Sequence, residues 1–343
     1  MKENKLNKVL SDEENIDLRL SYSRVSDFDR NGPQALIRPS NPDTDGIKHG
    51  SLVDVLLVDT ITGSKEIENQ YVIIDENKPT AMLGTLCDII LNNYVEIPSK
   101  EGVLNIVKLN NLWSRTKDEE KLIANFNIPE FWNYLKHKFE TKGKSVVSVD
   151  DFNRAKKSVE ILLNHKFTHS YFKKYKSVEH HYQISFEIKY KSFTFRGILD
   201  KMTIDRKEKK VYFEDIKTGE GKSYKFMESF LKYRYYFQGF LYQQAFDYLS
   251  KIYNFEDYTL MPFRFIYISK SEDNPIVFVM SDKWQNASQK GFTTQNGYNY
   301  RGFDECLDLI YYHWKNKKYD FPKEIDEQNG LLLLNDNFIN IND

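Results

Sequence analysis

Apolar positions along the chain change their period near residue 178. Before it they recur at helical spacing. Leu52/Val53 and Leu56/Leu57 repeat every four residues and predict a buried helix that carries Asp54. Ser148 and Asp151 form a capping pattern, followed by a stripe of Phe152, Ala155, Val159, Leu162 and Leu163, which predicts a helix over 148–166. Ser21 and Ser23 precede Val25 and Phe28 and predict a short capped helix that ends at the turn Asn31-Gly32-Pro33. Residues 65–145 mix polar and aromatic positions and read as mostly helical. After 178 the pattern alternates over 182–188, 193–204 and 210–216, with short polar links, as in an antiparallel meander. A long helix is predicted over 226–252, strands over 258–268 and 275–280, and a last helix over 302–318. With no internal repeat or low-complexity linker, the economical reading is one α/β domain over 1–343 with a central mixed sheet flanked by helices. It comprises a polar arm (1–20), a mainly helical part (21–177), a core (178–252) and C-terminal strands with a helix (253–343).

Composition narrows the classes. A 40% hydrophobic and 15% aromatic chain supports a large packed core. Two cysteines, Cys87 and Cys306, exclude a disulfide framework, a four-cysteine zinc site and a four-cysteine iron–sulfur cluster within one chain. The polar N-terminus and the short apolar runs predict a soluble, cytoplasmic protein with no membrane partner. A net charge of -1 does not advertise nucleic-acid binding, although a basic groove beside an acidic site cancels in the sum. Lys136, Lys138, Lys142 and Lys144 cluster before the 148–166 helix, and Lys173, Lys174 and Lys176 after it; they are candidates to line a DNA channel, although such runs are usually a solvated face.

The candidate chemistry lies in the meander. Asp200 ends Gly197-Ile198-Leu199-Asp200, and Asp215 and Lys217 stand in Glu214-Asp215-Ile216-Lys217-Thr218-Gly219. The strand period of two puts Asp215 and Lys217 on one face, which Asp200 can reach from the neighbouring strand. Two carboxylates suit magnesium, which takes oxygen ligands and keeps places for water and phosphate. The carbonyl of Ile216 is a further candidate ligand, and the lysine can hold the attacking water or stabilise charge that develops on phosphorus. An Asp-x-Lys on a strand is more often a surface ion pair, but Val211, Phe213 and Ile216 around it predict a buried strand, where unpaired charge is costly. On the following helix Arg234, Gln238 and Tyr242 lie four apart and are expected to share a face.

Gly-Ile-Leu-Asp, then Asp-Ile-Lys-Thr, then a helix with Gln-x-x-x-Tyr resembles the PD-(D/E)XK nuclease superfamily, and most closely its phage-type exonuclease branch of RecE and lambda-exonuclease type. The resemblance covers 21–54 and 178–248. It implies a restriction-endonuclease-like core, with Asp200 and Asp215 as metal-binding carboxylates and Lys217 as the catalytic lysine. It also implies Gln238 and Tyr242 as residues that orient the site and contact DNA, and it matches Ser21-x-Ser23 to the N-terminal segment of that branch. Where the branch carries Gly-x-x-x-His, this chain has Gly50 and Asp54, so Asp54 is a candidate ligand; His49 beside it reads as a surface histidine. For the acidic residue the branch often carries on the preceding strand, Gln183 and Glu187 are counterparts, and Glu187 is the ionisable one. The absence of a cysteine quartet separates the chain from relatives marked by an iron–sulfur cluster. The implied function is a magnesium-dependent DNA exonuclease (manganese as substitute) that acts 5′-to-3′ on double-stranded DNA in phage-type recombination, as a homo-oligomer with a single-strand annealing partner. The alternatives are an endonuclease with the same site and a catalytically silent DNA-binding protein.

Overall fold

The computed structural model describes residues 18–38, 45–75, 79, 81–141 and 143–331. The polar arm up to residue 17, and Lys142, lie outside the described residues. The chain packs as two compact units: Asp45–Leu162, and the segments Met1–Thr44 and Leu163–Asp343 that flank it in sequence. No helix among the described residues is long and apolar enough to cross a membrane.

The 45–162 unit is helical, as its periodicity predicts, with a small parallel ladder between Tyr71–Ile74 and Ser145–Ser148. The ladder was not predicted, because each of its strands is only four residues long. Leu86, Ile90, Val103, Phe126, Phe131 and Leu135 centre its core. Leu52, Val53, Leu56 and Leu57 are buried on the helix Asp45–Thr62, as expected. His49, on the same helix, is buried rather than on the surface. Ser148 caps the Val149–Asn164 helix and exchanges hydrogen bonds with Asp151. Lys136 pairs with Glu140, and Lys144 donates to the Glu68 carbonyl.

The flanking segments build a seven-stranded mixed sheet. Its strands are β1 (Arg19–Leu20), β2 (Val178–Tyr190), β3 (Phe193–Asp205), β4 (Lys210–Gly219), β5 (Thr259–Leu260), β6 (Arg264–Ser269) and β7 (Ile276–Val279). The expected meander is β2-β3-β4, antiparallel throughout. Its second turn is held by Asp205, whose carboxylate accepts from the Lys207 and Glu208 amides, both at 3.0 Å. β6 lies parallel to β4, β7 antiparallel to β6, and β1 parallel to β3. The strand expected over 258–268 is interrupted at Met261-Pro262-Phe263, where proline cannot donate to a ladder.

Helices α1 (Tyr22–Asn31), α2 (Phe226–Lys232), α3 (Tyr235–Gln243), α4 (Phe246–Tyr253), α5 (Asp282–Lys290) and α6 (Phe303–Asn316) accompany the sheet. The single helix expected over 226–252 is three. Its first break is at Arg234, which takes the left-handed conformation (φ 57°, ψ 38°). The carbonyls released there are taken by side chains: Ser26 donates to Tyr233 O, and Arg234 turns back onto Leu231 O. Arg234 also pairs with the buried Asp29 of α1 at 2.6 Å. Helical spacing alone could not show this break, because the clamp comes from α1, far away in sequence.

Candidate active site at a fork in the sheet

β2 runs along one edge of β3 for its full length. The other edge is shared: β1 pairs at Thr194 and Phe195, and β4 at Lys201 to Asp205. Past the Lys201–Glu214 pair, β4 leaves β3 and continues only beside β6. Asp200 and Asp215 are the first residues beyond the last shared rung, so both stand in the fork.

Alternation slips here. Phe195 packs on Phe303 of α6, and Leu199 joins the same core. Lys201, which regular alternation from Phe195 would place on that face, lies instead on the opposite one with Glu214 and Phe172. Opposite Asp200, Gln183 has a left-handed φ of 52°, and the ladder lacks that rung. Gln183 is exposed. Its contribution is therefore to the irregularity of the strand, not to a ligand set.

In the fork a carboxylate replaces a strand partner. Asp200 Oδ2 accepts the Ile216 N–H at 2.9 Å. The N–H and C=O of an extended residue project to the same edge, so the Ile216 carbonyl faces the fork too. Asp215 is only 1% exposed. Its Oδ2 lies 2.6 Å from Lys217 Nζ, and its Oδ1 accepts from Gln238 Nε2 of α3. Lys217 Nζ also sits 4.9 Å from the centre of the Tyr235 ring, a cation–π contact. Burial alone would lower the Lys217 pKa. The Asp215 charge foremost, with Tyr22, Tyr235 and Asp200, outweighs burial and carries the pKa well above an ordinary lysine's. Lys217 thus stands as a cation against Asp215.

Three tyrosines close around the fork. Burial raises the pKa of Tyr22, Tyr235 and Tyr242, and the carboxylates add to the rise, so each keeps its proton. Tyr22 and Tyr242 meet edge to face at 5.9 Å. Tyr22 and Tyr235 were not among the sequence candidates. The signal for Tyr235 was available, because Tyr235, Gln238 and Tyr242 follow i, i+3, i+7 on one helical face. Arg234, expected on that face from its spacing, belongs instead to the clamp with Asp29. Tyr22 carries no comparable signal, since its place depends on β1 joining β3.

Beside the fork lies an open cleft of about 720 Å³, lined by Ser21, Tyr22, Ser23, Glu187, Arg196 and Tyr248 among others. Ser21 caps α1, accepting from the Arg24 amide, and its hydroxyl lies 2.7 Å from that of Ser23. Glu187 is the expected acidic ligand that the structure moves away from the fork. It is exposed and paired with Arg196, its cross-strand partner, on the wall of the cleft. Asp54 lies on the helix Asp45–Thr62, in the other unit.

Among the described residues, no three His, Cys, Asp or Glu side chains gather as a metal cage. The fork instead offers oxygen donors alone: two carboxylates and the Ile216 carbonyl. This fits magnesium, which commonly takes one or two carboxylates and fills its remaining positions with water and phosphate oxygens. No protein-family model matches the chain, and no curated protein matches it.

Proposed function

We propose that the chain is a magnesium-dependent DNA nuclease, with manganese as a substitute ion, built on a restriction-endonuclease-like core. The observation that carries the reading is the fork itself. It gathers a buried carboxylate, a second carboxylate on a strand amide, an outward carbonyl and a lysine paired with the first carboxylate.

Bound at Asp200, Asp215 and the Ile216 carbonyl, magnesium would polarise a phosphodiester and acidify a water. The chain's own groups do the rest. Gln238 orients Asp215 through the bond to Oδ1. Lys217 presents a cation to the charge that grows on the phosphoryl oxygens. Tyr22, which lines both the fork and the cleft, offers a phenolic O–H to a phosphate arriving from the cleft. The Ser21 and Ser23 hydroxyls and Arg196 are polar groups for backbone phosphates; Arg196 would exchange Glu187 for a phosphate on binding.

The cleft is of small-ligand size. The exonuclease mode rests on the resemblance, and an endonuclease with the same site is the alternative. The resemblance adds a 5′-to-3′ direction, a homo-oligomer and an annealing partner.

The test is magnesium-dependent release of nucleotides from linear DNA labelled separately at each 5′ end, with covalently closed circles as control. Release from the linear substrate alone is expected. Cutting of circles would establish the endonuclease reading, and binding without cleavage in magnesium or manganese would leave a DNA-binding protein. Tyr22→Phe is expected to lower kcat about tenfold, the scale of one lost neutral hydrogen bond, with the melting temperature little changed. An unaltered kcat would remove Tyr22 from the site.

A further inference from the structure

Behind the fork, on the opposite face of the sheet, lies a second charged pair. Lys201 and Glu214 are directly opposed cross-strand partners, and both side chains are wholly buried. Lys201 Nζ donates to Glu214 Oε2 and to Thr203 Oγ1, and Thr203 Oγ1 lies 2.6 Å from the same carboxylate oxygen. Glu214 Oε1 faces Arg264 at 3.4 Å, and the Arg264 guanidinium stacks 3.8 Å from the centre of the Tyr212 ring. His180 Nδ1 lies 3.1 Å from Thr203 Oγ1, and Phe172 lies beneath the Lys201 ammonium.

Such a pair is an expensive way to fill a core. Desolvation of two charges consumes most of their attraction, and apolar residues of similar volume often serve stability as well or better. What an apolar pair lacks is direction. Lys201 and Glu214 form the last rung before β3 and β4 part, and each is the immediate neighbour of a fork carboxylate: Asp200-Lys201 and Glu214-Asp215. A slip or splay at this rung would pass directly to the separation of the two carboxylates and to the Asp200–Ile216 bond.

We propose that Lys201 and Glu214, with Thr203, are positioning residues that lock the last rung of the β3–β4 ladder and thereby set the separation of Asp200 and Asp215 for a divalent cation. The cation rests on the nuclease reading; the lock itself does not.

The experiment is the double variant Lys201→Met/Glu214→Leu in the full chain, with the thermal transition recorded first. Amide exchange is then followed at Ile216, whose N–H meets Asp200, and at Ile266 on β6 as a reference. Exchange at Ile216 is expected to quicken about tenfold, with Ile266 unchanged. Mn²⁺ affinity, titrated without DNA, is expected to fall about tenfold, and in the cleavage assay kcat is expected to fall with KM nearly unchanged. Wild-type exchange at Ile216 together with wild-type Mn²⁺ affinity would overturn the proposal, and equal acceleration at both amides would show a merely structural role and also overturn it. If the double variant does not fold, Thr203→Val decides, with selective acceleration at Ile216 of about threefold expected and none overturning the lock. If wild-type protein neither binds Mn²⁺ nor cleaves DNA, the nuclease reading fails, while the two amides still judge the lock.

Discussion

Lys217→Met should lower magnesium-dependent cleavage by about 10²–10³-fold, the usual cost of one preorganised donor at a developing charge. It should also uncover a second effect. Without a metal, Lys217 is the ionic partner of Asp215, which is only 1% exposed. Its removal leaves that carboxylate with the Gln238 amide alone, an uncompensated buried charge. The variant should therefore melt below the wild type in chelator. Added magnesium should raise its melting temperature by more than it raises the wild type's, because the ion no longer competes with an ammonium. Scanning calorimetry with and without magnesium reads both shifts. A Lys217→Met protein that cleaves at the wild-type rate, or one indifferent to magnesium in its melting, would contradict this account of the fork.

Glu214→Ala is expected to have the largest effect on stability. It leaves the buried Lys201 ammonium with Thr203 Oγ1 as acceptor but no carboxylate, a fault worth about 3–5 kcal/mol. For a unit of this size that is a fall of roughly 10 °C in melting temperature. Lys201 cannot reach water by bending, since its side chain is wholly buried. The companion Lys201→Met/Glu214→Leu should lose far less, and the cycle that includes Lys201→Met gives the coupling between the two charges. Glu214→Ala melting within about 1 kcal/mol of the wild type, the scale of an exposed pair, would mean that water reaches the pair.

Local pattern made the meander legible in advance. β2, β3 and β4 alternate over most of their length, and their links are polar, so the adjacency of the Asp200 and Asp215 strands follows from the sequence, whereas the slip at Asp200 does not. Gln238 was legible as well, because a polar side chain on an aromatic helix face needs a partner. What escaped depends on distant chain. The break at Arg234 is made by Asp29 and Ser26, and Tyr22 arrives through the pairing of β1 with β3. Glu187 was misplaced for another reason. Its cross-strand partner is Arg196, four residues along β3 from Asp200, and no count by twos along β2 alone gives that register. No pattern in the sequence marked Lys201 and Glu214 as a buried pair.

The 45–162 unit interrupts the chain of the other, between β1 and the strand it joins. This orders the events of biosynthesis. Residues 19–31 leave the ribosome long before β3 exists and must wait, with Tyr22, for a partner still to be made. Closing so long a loop is entropically costly while the intervening chain is loose, though the cost grows only slowly with length. An interruption that has already condensed into a compact body brings its own ends under restraint and shortens the effective loop. Lesions deep in the 45–162 core should thus delay the maturation of the fork without altering any group in it, and such variants would be slow to become competent but normal once they are.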